Sequence, residues 1–400
     1  MTKVMHLFFI YTFAIVYPFI NVVINTDIWP ENIQFIDQII RHGAVLIVAM
    51  SGIVHHRLYL SESPRLRQII IVALLISLSL LCVEILKSMV VGVVNYMRIY
   101  SSLGVFLLVA FGAAISHPTV SKKFFSMLML SFGVSLFVVS IVALGDGSEL
   151  STSVYGRERY LFGYSHPGRL AQHLFIVALV LLFVADVRKS VKIFFIIVIS
   201  VLVIMTSTRL VELMLAFLIF FKILQKIRFG LFLYMCMAII MVAFAGVALF
   251  TVDDKVVYYA TSGRVSWWLT SISLNVSDFT PIEYILGSFG ELVANLEHVA
   301  GDYGNRVTMF RIDNGYIEVF YLHGLFGLIV VLSYLFILMG ASSLKLNDRF
   351  ALVAVFAFFS FSESGLFTIG SAMSLILVSL IIRKAYLGIR CINRSPLPTG

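Results

Sequence analysis

Charge is what this sequence has least of. Of its 400 residues 12% are Asp, Glu, Lys or Arg, while 60% are hydrophobic, and the mean hydropathy is +1.01. Soluble globular domains carry about 25% charged residues, so a soluble enzyme is excluded and an integral membrane protein is implied. Cysteine is scarce as well: Cys82, Cys236 and Cys391 lie in or beside apolar segments with no pairing pattern. That excludes a disulfide framework and offers no thiolate metal site. Internal repeats, low-complexity tracts and outward-facing Asp-x-Asp spacing are all missing, and Asp253-Asp254 reads as a solvated loop. We therefore expect no metal and no cofactor.

What the chain has instead is apolar runs of about 17 to 25 residues, the length that crosses a bilayer. Twelve candidates centre near positions 14, 46, 77, 108, 133, 178, 199, 216, 240, 325, 356 and 377. The first, VMHLFFIYTFAIVYPFINVVI, has one Lys before it and no small-residue cleavage site after it, which reads as a retained span rather than a signal peptide. Taking alternate connections, the set with both termini holds 18 of the 29 basic residues and three of the 21 acids. The positive-inside bias then puts both termini in the cytoplasm. Much of the formal charge of +8 is on this count topogenic, and a nucleic-acid partner is not implied. The expected fold is all-α: one polytopic membrane domain over residues 1–400, with about 12 transmembrane helices. Its long outer connections are residues 145–169 and 253–311.

The larger connection has structure of its own. In SGRVSWWLTSISLNVSDF, Ser262 suits an N-cap, and Val265, Trp268, Leu269 and Ile272 recur at helical spacing, which predicts a short amphipathic helix at the interface. PIEYILGSFGEL is a second short apolar element. From residue 145 onward the outer connections contain Arg157, Arg159, Arg169, Arg209, Arg264, Arg306 and Arg311 against a single lysine, Lys255. The guanidinium fork binds phosphate bidentately and tolerates partial burial better than an ammonium, so these arginines suit a lipid-linked pyrophosphate. Pairing with outer acids or headgroups is the alternative for each. Arg209 sits in the short turn TSTR between two apolar runs, with Glu212 at i+3 to orient it. Glu84 and Lys87 form a similar i, i+3 pair, which reads as structural.

In RIDNGYIEVFYLHGLFGLIVV, a helix starting near Ile312 places Asp313, Tyr316, Phe320, Gly324 and Gly327 on one stripe. The glycines would admit a neighbouring helix, with Asp313 at the mouth of the groove. The plainer role of that aspartate is a helix cap. His323, about 15 Å deeper, reads as an interhelical hydrogen-bonding residue.

Three stretches, FGYSHPGRLAQHL, SGRVSWWL and DNGYIEVFYLHGLFGL, taken in this order and on the outer face, resemble the O-antigen polymerase and ligase superfamily of Wzy type. That family shows His-Pro-Asn at the start of one span, Arg then Trp in the large outer loop, and His-Asn-x-Tyr ahead of a span with Gly-x-x-Gly. Gly168 and Asp313 stand here where the family has Asn and His. Arg157 and Gly168 keep the Arg-ten residues-Gly spacing of polymerases.

The resemblance implies a GT-C-like membrane glycosyltransferase acting on undecaprenyl pyrophosphate-linked glycans at the outer face of a bacterial cytoplasmic membrane. It implies Asp313, Arg264 and Arg209 as catalytic residues. Arg157, Arg159, His166, Arg169, Trp267, Arg311, Asn314 and Tyr316 become substrate-binding candidates. Flippase and chain-length regulator partners follow from the resemblance too. A ligase transferring glycan to lipid A, or a transporter of the same lipid-linked glycans, are the other readings.

Overall fold

The structure is a computed structural model that describes residues 2–24, 26, 33–56, 64–92, 96–145, 151–154, 157–164, 166–225, 276–289, 296–299, 306–309, 314–341, 346–362 and 371–392, together with Val265, Trp268, Leu269, Ile272 and Ser273. Helices dominate it. In chain order they are α1 (Thr2–Ile24), α2 (Ile33–His56), α3 (Pro64–Val91), α4 (Tyr96–Ser102), α5 (Gly104–Ala114), α6 (Pro118–Gly145), α7 (Pro167–Phe183), α8 (Lys189–Met205), α9 (Arg209–Leu224), α10 (Pro281–Leu286), α11 (Gly315–Ala341), α12 (Leu346–Ser362) and α13 (Ala372–Ile392). Each predicted span centre falls within one of them except that near 240, which lies outside the described residues.

Among the described residues four helical stretches, Val4–Val23, Leu66–Val91, Val120–Gly145 and Gly315–Gly340, are long and apolar enough to cross a membrane, and shorter apolar helices accompany them. Their outward side chains are those of a lipid-facing surface: Leu75, Phe137, Phe194 and Phe336 are all more than half exposed. Soluble monomers rarely leave so much contiguous apolar surface bare. The chain is membrane-embedded.

α5, GVFLLVAFGAA, is apolar on every side and buried along its length, as befits a helix enclosed by others. It packs against α2, α3 and α13, while α1 lies along α6. Phe111 of α5 meets Phe13 and Phe124 with ring centroids 5.0 and 6.2 Å apart. One end of the bundle is tied by polar contacts. His6 Nδ1 hydrogen-bonds Ser51 Oγ at 3.0 Å, Lys122 pairs with Asp186 at 3.0 Å, and Lys222, lying over the Phe183 ring, pairs with Asp348 at 2.5 Å.

Two features were not predicted from the sequence. Antiparallel hairpins occupy both long connections: β1 (Ser151–Val154) with β2 (Arg157–Tyr160), and β3 (Leu296–Val299) with β4 (Arg306–Met309). STSV and RERY lack the alternation of polar and apolar residues that marks a strand with one buried face. The second feature is a break in α11 at Gly324, with φ 62° and ψ −155°. That region of backbone space is essentially reserved for glycine.

Candidate functional site

The expected site residues separate into two groups. Arg157 and Arg159 lie on β2, in register opposite Val154 and Thr152. The hairpin reaches the turn before α9, where Ser207 Oγ donates to Glu158 O at 3.3 Å. Ser207 itself has φ 49°, a conformation uncommon outside glycine and asparagine. Arg209 is the first residue of α9 and is partly exposed, with Glu212 in the same first turn. The strand bearing two arginines is thereby joined to the turn bearing a third.

β2 leads directly into α7. His166 caps that helix, its Nδ1 accepting from Gly168 N at 3.1 Å, and Pro167 follows at the first helical position where its missing N–H costs nothing. His166 and Arg169 are exposed at this helix start. The connection is anchored from below by Tyr164, whose buried hydroxyl lies 2.9 Å from His173 Nδ1 in a hydrogen bond. Burial pushes the Tyr164 phenol well above its ordinary pKa.

Asn314 and Tyr316 form the second group. Asn314 is buried, and its Oδ1 accepts from Tyr316 N and Ile317 N, both at 3.0 Å. It is the N-cap of α11, the role that sequence left open for Asp313. Tyr316 is half-buried, and its hydroxyl donates to Ala357 O of α12 at 3.0 Å. α12 packs against both α11 and α9, so it is the element joining the two groups. Arg264, Trp267, Arg311 and Asp313 lie outside the described residues. Of the predicted amphipathic helix, Val265, Trp268, Leu269 and Ile272 are helical. Asn314→Ala is expected to lose about 1 kcal/mol of stability, the usual value of an N-cap, read as a small fall in unfolding temperature; an unchanged temperature would remove the capping role.

Among the described residues a buried polar cluster surrounds the pair that the sequence shows only as a local i, i+3 contact. Glu84 and Lys87 of α3 are 2% and 3% exposed and 2.7 Å apart. His323 Nδ1, on α11, donates to Glu84 Oε1 at 3.0 Å. Lys87 Nζ also donates to Leu322 O at 2.5 Å, and Arg98 of α4 donates to Ser288 O at 2.5 Å. The break in α11 explains these contacts. It releases carbonyls from the helical ladder, and buried carbonyls need donors. Ser288 N supplies one, to Tyr321 O at 2.7 Å, and Lys87 supplies another.

The segment that docks into the break is α10 with its following residues. Thr280 and Glu283 make a reciprocal capping box. Partial burial pushes the Glu283 carboxyl up, but hydrogen bonds from the Thr280 and Phe289 N–H groups and the Thr280 hydroxyl outweigh it and hold its pKa below the ordinary value. Its stabilisation is therefore present above the unfolded carboxylate pKa and is lost as pH falls through the lowered one. Gly287, at φ 86°, ends the element, and a Cβ there would run into the Leu322 carbonyl. A Cβ on Gly324 would run into the Ile285 carbonyl and Gly287 N. The two glycines abut backbone to backbone. Gly324 thus admits a loop, where the sequence suggested that it admits a helix. Gly327 faces His323 and Val319 of its own helix instead of a neighbour.

No protein-family model and no curated protein matches this chain.

Proposed function

We propose that this chain is a polymerase of undecaprenyl pyrophosphate-linked oligosaccharide repeat units, with about 12 transmembrane helices, both termini cytoplasmic and its site facing outward. The observation that carries the reading is the contact between the arginine-bearing hairpin and the Arg209 turn, which brings the strand carrying Arg157 and Arg159 to the turn before α9. The polar ties His6–Ser51, Lys122–Asp186 and Lys222–Asp348 involve the helix ends that the basic-residue count assigns to the cytoplasm, so they support the alternating topology.

In this reaction an acceptor sugar hydroxyl attacks the anomeric carbon of the donor glycan. The new C–O bond forms as the bond to pyrophosphate breaks, and the polyprenyl pyrophosphate leaves with the electron pair. Arg209, Arg264 and Arg157 would stabilise the charge developing on that leaving group. Asp313 would take the hydroxyl proton or orient the acceptor. Arg159, His166, Arg169, Trp267, Arg311, Asn314 and Tyr316 would line the glycan path. Transfer to lipid A or another terminal acceptor uses the same chemistry and differs only in the acceptor.

A second reading, a transporter of lipid-linked glycans, has its own observation: a broken membrane helix beside buried ionisable groups is a construction common among transporters. One experiment separates the readings. Purified protein in nanodiscs, given lipid-linked repeat units with a chelator present, is expected to build a glycan ladder that Asp313→Asn and Arg264→Ala lose by about 100-fold or more. Absence of a ladder together with movement of labelled lipid-linked sugar across a liposome bilayer would replace the enzyme with the transporter.

A further inference from the structure

The break in α11 sets backbone oxygens at the end of a helical segment, where the peptide dipoles leave negative charge. In broken membrane helices such carbonyl ends are places where free cations coordinate. Here the place is taken. The ammonium of Lys87 lies 2.5 Å from Leu322 O and 2.7 Å from Glu84 Oε1, between a helix-end carbonyl and a buried carboxylate.

We propose that the break in α11 is a monovalent-cation site whose resident cation is the Lys87 ammonium. Its ligands are those a dehydrated alkali or ammonium ion would use: oxygen atoms, one of them anionic, beside a buried lysine and glutamate. A lysine fits because its ammonium is a compact point charge on a flexible stem that reaches both oxygens. The surrounding charges are balanced around it. Arg98 takes the neighbouring Ser288 carbonyl, and Glu283 is close enough to Lys87 to interact electrostatically. His323 donates to Glu84, and the carboxylates of Glu84 and Glu283 stand against the side-chain cations of Lys87 and Arg98. A tethered cation needs no ion gradient to fill the break, so the joint between α3, α10 and α11 holds in any ionic medium. This inference stands independently of the glycan reading.

The test uses the full chain in nanodiscs, its unfolding temperature measured in potassium, sodium, ammonium or methylammonium chloride, with choline chloride at equal ionic strength as the control. Lys87→Ala is expected to unfold several degrees below wild type in choline and to regain part of that loss, saturably, with at least one of the small cations. Wild type and the Glu84→Gln/Lys87→Ala double variant are expected to show no such gain. A Lys87→Ala variant indifferent to every small cation overturns the proposal. Should Lys87→Ala give no folded protein, Lys87→Arg and Lys87→Met decide. Folded Lys87→Arg without folded Lys87→Met supports a resident cation, and any other pattern overturns it.

Discussion

Gly324→Ala is expected to remove about 3 to 5 kcal/mol of stability, enough to leave little folded protein in the membrane. Two independent costs meet at this residue. The backbone at φ 62° and ψ −155° excludes side chains, and relaxing it toward an ordinary helix would restore the ladder that the break interrupts. Relaxation is blocked by the second cost. The space a Cβ would need is filled by the backbone of Ile285 and Gly287, which moves only if α10 leaves its seat against α11. Leaving would in turn strip Tyr321 O of its Ser288 N–H partner, and an orphaned buried carbonyl costs about 1 to 3 kcal/mol. Gly340→Ala provides the control on the same helix, since nothing lies within 4 Å of a Cβ there. Thermal unfolding and monodisperse yield in nanodiscs measure the difference. A Gly324→Ala protein as stable as Gly340→Ala would mean that α11 is continuous in the membrane.

The helices were legible in the sequence because hydrocarbon requires the chain to satisfy its own backbone, which leaves long apolar runs little choice but helix. The break was not, for a reason particular to Gly324. Its spacing from Tyr316, Phe320 and Gly327 is that of an unbroken helical stripe, and a glycine on such a stripe looks the same whether it admits a helix or bends the chain. What distinguishes the two is a partner far along the sequence, the Ile285–Gly287 backbone. Similarly Glu84 and Lys87 announce their mutual i, i+3 contact but carry no sign of His323 or Leu322, more than 230 residues away. Among the expected site residues, sequence placed Arg209 in the short turn between two apolar runs, and the structure has it as the first residue of the second run's helix. The hairpin that brings Arg159 toward the Ser207 turn was illegible, because a short strand with both faces polar has no periodic signature.

The second large effect is expected at the buried pair. Lys87→Met should cost about 3 to 5 kcal/mol, since it removes the ammonium 2.7 Å from a carboxyl group that is 2% exposed. Glu84→Met should cost a similar amount by stranding the ammonium. The double replacement is expected to cost less than the sum of the two, with a coupling of about 2 to 3 kcal/mol, because no uncompensated charge remains. It should not return to wild-type stability. Leu322 O would still lack the Lys87 donor, and His323 would lose its carboxylate acceptor, each a loss of about 1 to 3 kcal/mol. An ion pair whose only role is mutual neutralisation would behave otherwise, the double variant matching or exceeding wild type. A thermal double-mutant cycle therefore reads the role of the cluster directly: strict additivity would mean that the two side chains do not interact in the membrane, and full recovery that neither is needed to hold the break. Residual instability in the double variant would place the requirement at the carbonyl end of the first α11 segment, the same segment whose opposite end Asn314 caps and Tyr316 ties to α12.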